Sequence, residues 1–151
     1  MSTFKAELKD ISKVSKDIRI AFVVGDFNAH YTHVLEKQNR EYFSELGFKN
    51  TDSFFVPGAF EIPGFAKKLI EKDIYDLVII LWVVIRWETP HFDYVCNETA
   101  RGVMNLNTMY ETPVIFGLLT CNNDEQVIAR INAGFAVSGL NLLAELEKIK
   151  E

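Results

Sequence analysis

Cysteine is scarce. Cys96 and Cys121 are the only two in 151 residues, and no Cys-x-x-Cys pair or His/Cys cluster accompanies them. That pattern supplies neither a disulfide framework nor a metal-ligand set, and it suits two free thiols in a reducing compartment. Basic runs are missing as well: sixteen Lys and Arg against twenty-one Asp and Glu leave a net charge of −5. That argues against nucleic acid and anionic membrane surfaces as main partners, although one or two placed cations suffice to grip a phosphorylated small molecule. No apolar run approaches the ~20 residues that span a bilayer. The stretch from Met1 to Asp17 mixes Lys with acids and lacks the apolar centre of a signal peptide, so a cytoplasmic protein is expected. Also absent are G-x-G-x-x-G, a P-loop and a nucleophile elbow, which leaves dinucleotide, nucleotide-phosphate and hydrolase readings without a motif.

Repeats, low-complexity tracts and linkers are likewise missing. Residues 1–17 read as an arm or an added edge strand, and residues 18–151 as one domain. Within that domain short apolar runs alternate with longer amphipathic ones. Ile18 to Val24 is a β-branched run closed by Gly25, and it predicts a buried strand. His33 to Leu46 predicts a helix with Val34, Leu35, Tyr42, Phe43 and Leu46 inward, stopped by Gly47. Ser53 to Val56 predicts a short strand ended by Pro57-Gly58. Pro63 suits the first turn of a helix whose stripe is Phe65, Ala66, Leu69 and Ile70. Leu77 to Ile85 is apolar on both faces, as a central parallel strand covered on both sides requires. Asp93 to Tyr110 predicts a long helix, Pro113 to Leu119 a strand and Asp124 to Arg130 a helix. Leu140, Leu143, Leu146 and Ile149 mark a final amphipathic helix.

Strict alternation of strand and helix implies right-handed crossovers, hence an α/β three-layer sandwich with a parallel sheet of about four strands. Ligands of such sheets sit beyond the carboxyl ends of the strands. Those ends direct attention to Gly25–Asn28, Pro57–Glu61, Arg86–His91 and Thr120–Asn123. His91 suits proton transfer, a common use of an imidazole, or it is a helix-entry histidine satisfied by backbone. Arg130 suits a phosphate, or it is a surface or interface residue. Glu61 sits where a helix dipole favours a carboxylate in any case.

Four segments carry a resemblance. Pro57-Gly-Ala-Phe-Glu-Ile-Pro63, Val84-Ile-Arg86, Glu88-Thr-Pro-His-Phe-Asp-Tyr94 and Pro113-Val-Ile-Phe-Gly-Leu-Leu-Thr120 resemble the 6,7-dimethyl-8-ribityllumazine synthase family. Phe27-Asn28 and Glu125-Gln126 with Arg130 fall at matching spacings, and the likeness runs from about Ile18 to the C-terminus. The resemblance implies a flavodoxin-like fold and condensation of 5-amino-6-(ribitylamino)uracil with 3,4-dihydroxy-2-butanone 4-phosphate, with no metal or organic cofactor. It implies that Phe27 stacks on the pyrimidine, that Ala59, Phe60 and Glu61 line the pyrimidine–ribityl pocket, and that Val83, Val84 and Ile85 offer backbone to the ring edge. Glu88 and Thr89 would hold the phosphate and His91 would move protons. Phe116 and Arg130 would come from a neighbouring subunit of a homopentamer, which in some relatives is one of twelve in a hollow shell.

The chain also departs from the family. Trp82 and Trp87 stand where relatives usually carry Gly, and Gln38-Asn39 where Gly-Ala is usual. Residues 131–139 replace a Gly- and Lys-rich segment, with Ser138 at a frequent Lys and Asn141 at a common acid. These changes raise an alternative, a catalytically weak scaffold on the same fold that forms a shell or binds a flavin-like ligand.

Overall fold

The computed structural model describes residues 6–86 and 90–150. Its strands are β1 (Ile20–Gly25), β2 (Thr51–Val56), β3 (Leu77–Ile85) and β4 (Val114–Cys121). All are parallel, in the order β2-β1-β3-β4. The helices are α1 (Ala29–Glu45), α2 (Ile62–Glu71), α3 (Pro90–Met109), α4 (Asp124–Arg130) and α5 (Gly134–Ile149). A 3-10 turn, Ala59–Glu61, leads into α2. The expected three-layer sandwich is therefore the observed one.

Alternation along β3 decides which helix goes where. Leu77, Ile79, Leu81 and Val83 point to one face, where Phe22, Val24, Leu35, Phe43, Ala136 and Leu140 close over them. Val78, Ile80, Trp82 and Val84 point to the other, against Ile62, Ala66, Phe92, Val103 and Leu106. A strand buried on both faces has to be apolar throughout, which is why its run is the greasiest in the chain. So α1, α4 and α5 cover one face, and α2 and α3 the other.

Several boundaries differ from expectation. Helix α1 starts at Ala29, four residues before His33, because Asn28 takes the left-handed region (φ 65°) and its carbonyl accepts from Tyr31 and Thr32 N–H. Asparagine is among the few residues that enter that region at modest cost. Its inward face is also different: Thr32, Glu36 and Asn39 are buried with Leu35 and Phe43, while Val34 is exposed. Helix α3 begins at Pro90 rather than Asp93, with proline tolerated in a first turn. Helix α5 begins at Gly134, well before Leu140. Helix α4 is as expected, capped by Asn123 Oδ1, which accepts from Gln126 N–H at 2.9 Å, while Gln126 Oε1 accepts from Asn122 N–H at 2.8 Å.

Residues 6–17 form turns rather than a strand within this chain. Leu8, Ile11 and Val14 pack against the α1–α5 face. Asn141 holds the segment at two points, accepting from Lys9 N–H at 2.8 Å and donating to the Glu7 carbonyl at 2.9 Å. No single helix among the described residues is long and apolar enough to cross a membrane.

Candidate active site

Beyond Leu81, strand β3 outruns its neighbour, for pairing with β1 ends at Val24↔Leu81. Pairing with β4 continues to Ile85↔Cys121. The last turn of the sheet therefore leaves the β1-facing edge of Val83 and Ile85 without a strand partner. Asn28 fills part of the gap, its Nδ2 donating to the Val83 carbonyl at 3.0 Å. That bond ties the loop carrying Phe27 to the end of the central strand.

A cleft of about 210 Å³ opens here. It is lined by Phe27 from the loop after β1 and by Gly58, Ala59, Phe60 and Glu61 from the turn after β2. Trp82 and Val84 come from β3, and His91, Phe92 and Val95 from the first turns of α3. Phe27 and Phe60 are about half exposed, 51% and 52%. Tyr94 stands beside Phe60 with ring centroids 6.0 Å apart. Glu61 and His91 give an otherwise apolar cleft one carboxylate and one imidazole, which suits polar ends of a flat ligand and proton transfer. Among the described residues no cluster of His, Cys, Asp and Glu could hold a metal ion.

Two polar pairs form at the same carboxyl end of the sheet. His33 Nε2 and Asp26 Oδ1 are 2.8 Å apart, and the His33 ring rests on Phe55 at 4.6 Å. Lost solvation, then the hydrogen-bonded Asp124 carboxylate, push the Tyr31 phenol up, linking the first turns of α1 and α4.

Of the residues singled out from sequence, the cleft gathers Phe27, Ala59, Phe60, Glu61, Val84 and His91. Val83 turns its side chain into the opposite core face, so only its backbone faces this end of the sheet. Ile85 is half-buried at the strand's end. Trp87, Glu88 and Thr89 lie outside the described residues. Phe116 and Arg130 are not brought to this chain's own cleft. Phe116 is 38% exposed on β4, the sheet's edge strand, and Arg130 Nη1 donates to the Thr120 carbonyl at 3.2 Å at the end of α4.

Phe92 and Val95 were missed because the helix was expected to begin at Asp93. A start at Pro90 puts positions 91, 92 and 95 on one side by helical spacing, and the proline was the available signal. Trp82, the departure from glycine at which an indole is expected to shield or block the pocket, is 2% exposed and forms part of the cleft wall near Gly25. Two other departures prove to touch each other. Asn39 Nδ2 donates to the Asn132 carbonyl at 3.2 Å, joining the unusual residue of α1 to the unusual segment after Arg130.

A parallel three-layer sandwich with an apolar cleft beyond its carboxyl strand ends, bearing one imidazole and one carboxylate, defines a flavodoxin-like protein built to hold a small molecule. Residues 17–143 match the family model of 6,7-dimethyl-8-ribityllumazine synthase. The chain belongs to that family, which consists of transferases of riboflavin biosynthesis.

Proposed function

We propose that this chain condenses 5-amino-6-(ribitylamino)uracil with 3,4-dihydroxy-2-butanone 4-phosphate to 6,7-dimethyl-8-ribityllumazine. The observation that carries the reading is the convergence of Phe27, Ala59, Phe60, Glu61, Val84 and His91, from four separate segments, on one cleft.

The chemistry asks for orientation, a phosphate grip and a proton shuttle. The pyrimidine lies against Phe27, with its edge toward the backbone of Val83 and Ile85 beyond the last β1 pairing, and the ribityl chain toward Ala59, Phe60 and Glu61. Glu61 accepts from ribityl hydroxyls. The 5-amino group attacks the ketone and loses water to form an imine. Phosphate is then eliminated, and the 6-ribitylamino nitrogen closes the ring with loss of a second water. His91 takes up and returns the protons. Glu88, Thr89 and Arg130 hold the phosphate, and Phe116 walls the sugar-phosphate side. Because Phe116 and Arg130 lie away from their own cleft, they serve a neighbour's, so the working unit is a homo-oligomer with a shared site, a pentamer or a shell of twelve pentamers.

The test follows lumazine absorbance from the two substrates. The parent turns over, His91→Ala lowers kcat by about 10²-fold or less, and Arg130→Ala raises KM for the sugar phosphate. Refolding the two variants together restores part of the lost activity, since a mixed assembly contains some sites with both residues. Unchanged turnover in both single variants would remove the site assignment, and no recovery on mixing would remove the shared site. The second reading, a weak scaffold, is favoured by Trp82 occupying the cleft wall. It predicts ligand binding by a parent that does not turn over.

A further inference from the structure

We infer that Asn39 and Asn132 are positioning residues for Arg130, acting through amide hydrogen bonds that run from the buried face of α1 to the end of α4. The inference rests on the phosphate-holding role proposed above for Arg130.

Asn39 is fully buried, 0% exposed, in the middle of a helix. Asparagine is a poor helix former, and a buried primary amide must satisfy donors and acceptor alike. Here it does. Nδ2 donates to the Leu35 carbonyl at 2.7 Å and to the Asn132 carbonyl at 3.2 Å. Oδ1 accepts from Ala136 N–H at 2.8 Å. Asn132 continues the chain: its Nδ2 donates to the Arg130 carbonyl at 3.0 Å, and its Oδ1 accepts from Gly134 N–H at 2.6 Å.

These bonds land on a joint. Helix α4 ends at Arg130, Ile131 is extended (φ −65°, ψ 120°), and α5 starts at Gly134 at 44° to α4. A short bent connection has torsional freedom that helix hydrogen bonds do not remove. The two amides hold it at Arg130, Asn132, Gly134 and Ala136. At the other end of the Arg130 side chain, Nη1 meets the Thr120 carbonyl at 3.2 Å and Cys121 Sγ at 3.6 Å. The guanidinium is thus fixed by its head on β4 and by its main chain through α1. A cation that must meet a phosphate gains from such fixing, because misplacement by about 1 Å already weakens the interaction severely.

The test uses Asn132→Ser, which keeps a neutral side-chain oxygen for Gly134 N–H but is too short to reach the Arg130 carbonyl. Calorimetric titration of the assembled protein with inorganic phosphate gives an affinity that does not require turnover, and KM is measured for each substrate. The expected result is a rise of about tenfold in phosphate Kd and in sugar-phosphate KM, with pyrimidine KM within about twofold. In an Arg130→Ala background Asn132→Ser adds no further loss, because its effect travels through Arg130. Asn39→Ala moves phosphate affinity the same way and also lowers the melting temperature. Unchanged phosphate affinity in Asn132→Ser, or an equal loss with and without Arg130, overturns the inference. The outcomes separate from those of the synthase reading: a parent that binds phosphate through Arg130 yet makes no lumazine loses that reading and keeps this one.

Discussion

The wall of the cleft and the edge of the sheet place their candidate functional side chains by different means. At the wall, Ala59, Trp82, Val84 and Phe92 are buried together between β3, α2 and α3, and the ligand-facing groups ride on that packed apolar surface. At the edge, β4 and the joint between α4 and α5 depend on close backbone approach and on the Asn39–Asn132 amides. Dispersion and burial are non-directional, so a packed wall tolerates exchange of one hydrophobe for another of similar volume. Close contacts and amide bonds are directional and fail when one atom is lost or gained. The edge is therefore where small substitutions have the more specific consequences.

Two substitutions and one labelling measurement test that contrast, beginning with the largest effect. Trp82→Ala removes an almost fully buried indole from the wall and is expected to cost about 4 kcal/mol of stability, read from the urea midpoint. Pyrimidine KM rises as the wall recedes, while phosphate affinity is untouched. A gain in turnover would instead mark the indole as an obstruction and favour the scaffold reading. Gly117→Ala acts at the edge, where an added Cβ would collide with the Ile80 carbonyl oxygen and crowd Leu81 Cδ2 at 2.8 Å. A loss of about 2 kcal/mol is expected for one methyl group, and an unmoved midpoint would show that β4 is not held by close approach. The smallest effect concerns Cys96 on α3, whose thiol is pushed up by burial and then by the Asp93 carboxylate. Less thiolate at neutral pH means slower alkylation than in the urea-unfolded chain. Equal rates would mean that this side of α3 is open to solvent.

Much of this architecture was legible in the residues, for identifiable reasons. β3 declared itself because burial on both faces leaves no room for a polar position between Leu77 and Ile85. Ala59, Phe60 and Glu61 were legible because Pro57-Gly58 marks the carboxyl end of a strand, where ligands of such sheets sit, and because the family resemblance assigns them to the pocket. The early start of α1 was hidden because it depends on Asn28 entering the left-handed region while its side chain satisfies Val83, 55 residues away. The inward face of α1 was misread for a related reason. Polar Glu36 and Asn39 add nothing to an apolar stripe, and their partners are out of view in the sequence. Glu36 accepts from Arg40 Nε and Ser53 Oγ, each at 2.7 Å, and Asn39 reaches Asn132 and Ala136, 93 and 97 residues on. Periodicity reports how greasy a face is. It does not report which amides find each other across the fold.

Trp82 has an optical consequence. It is one of only two tryptophans in the chain, and it combines near-complete burial with a place on the cleft wall. An indole in such surroundings emits at short wavelength, and a conjugated ring system resting in the cleft quenches it by direct contact and by energy transfer. On the proposed function the indole is a built-in lamp whose expected dimming on addition of a conjugated ligand reports occupancy in the unmodified chain without a label.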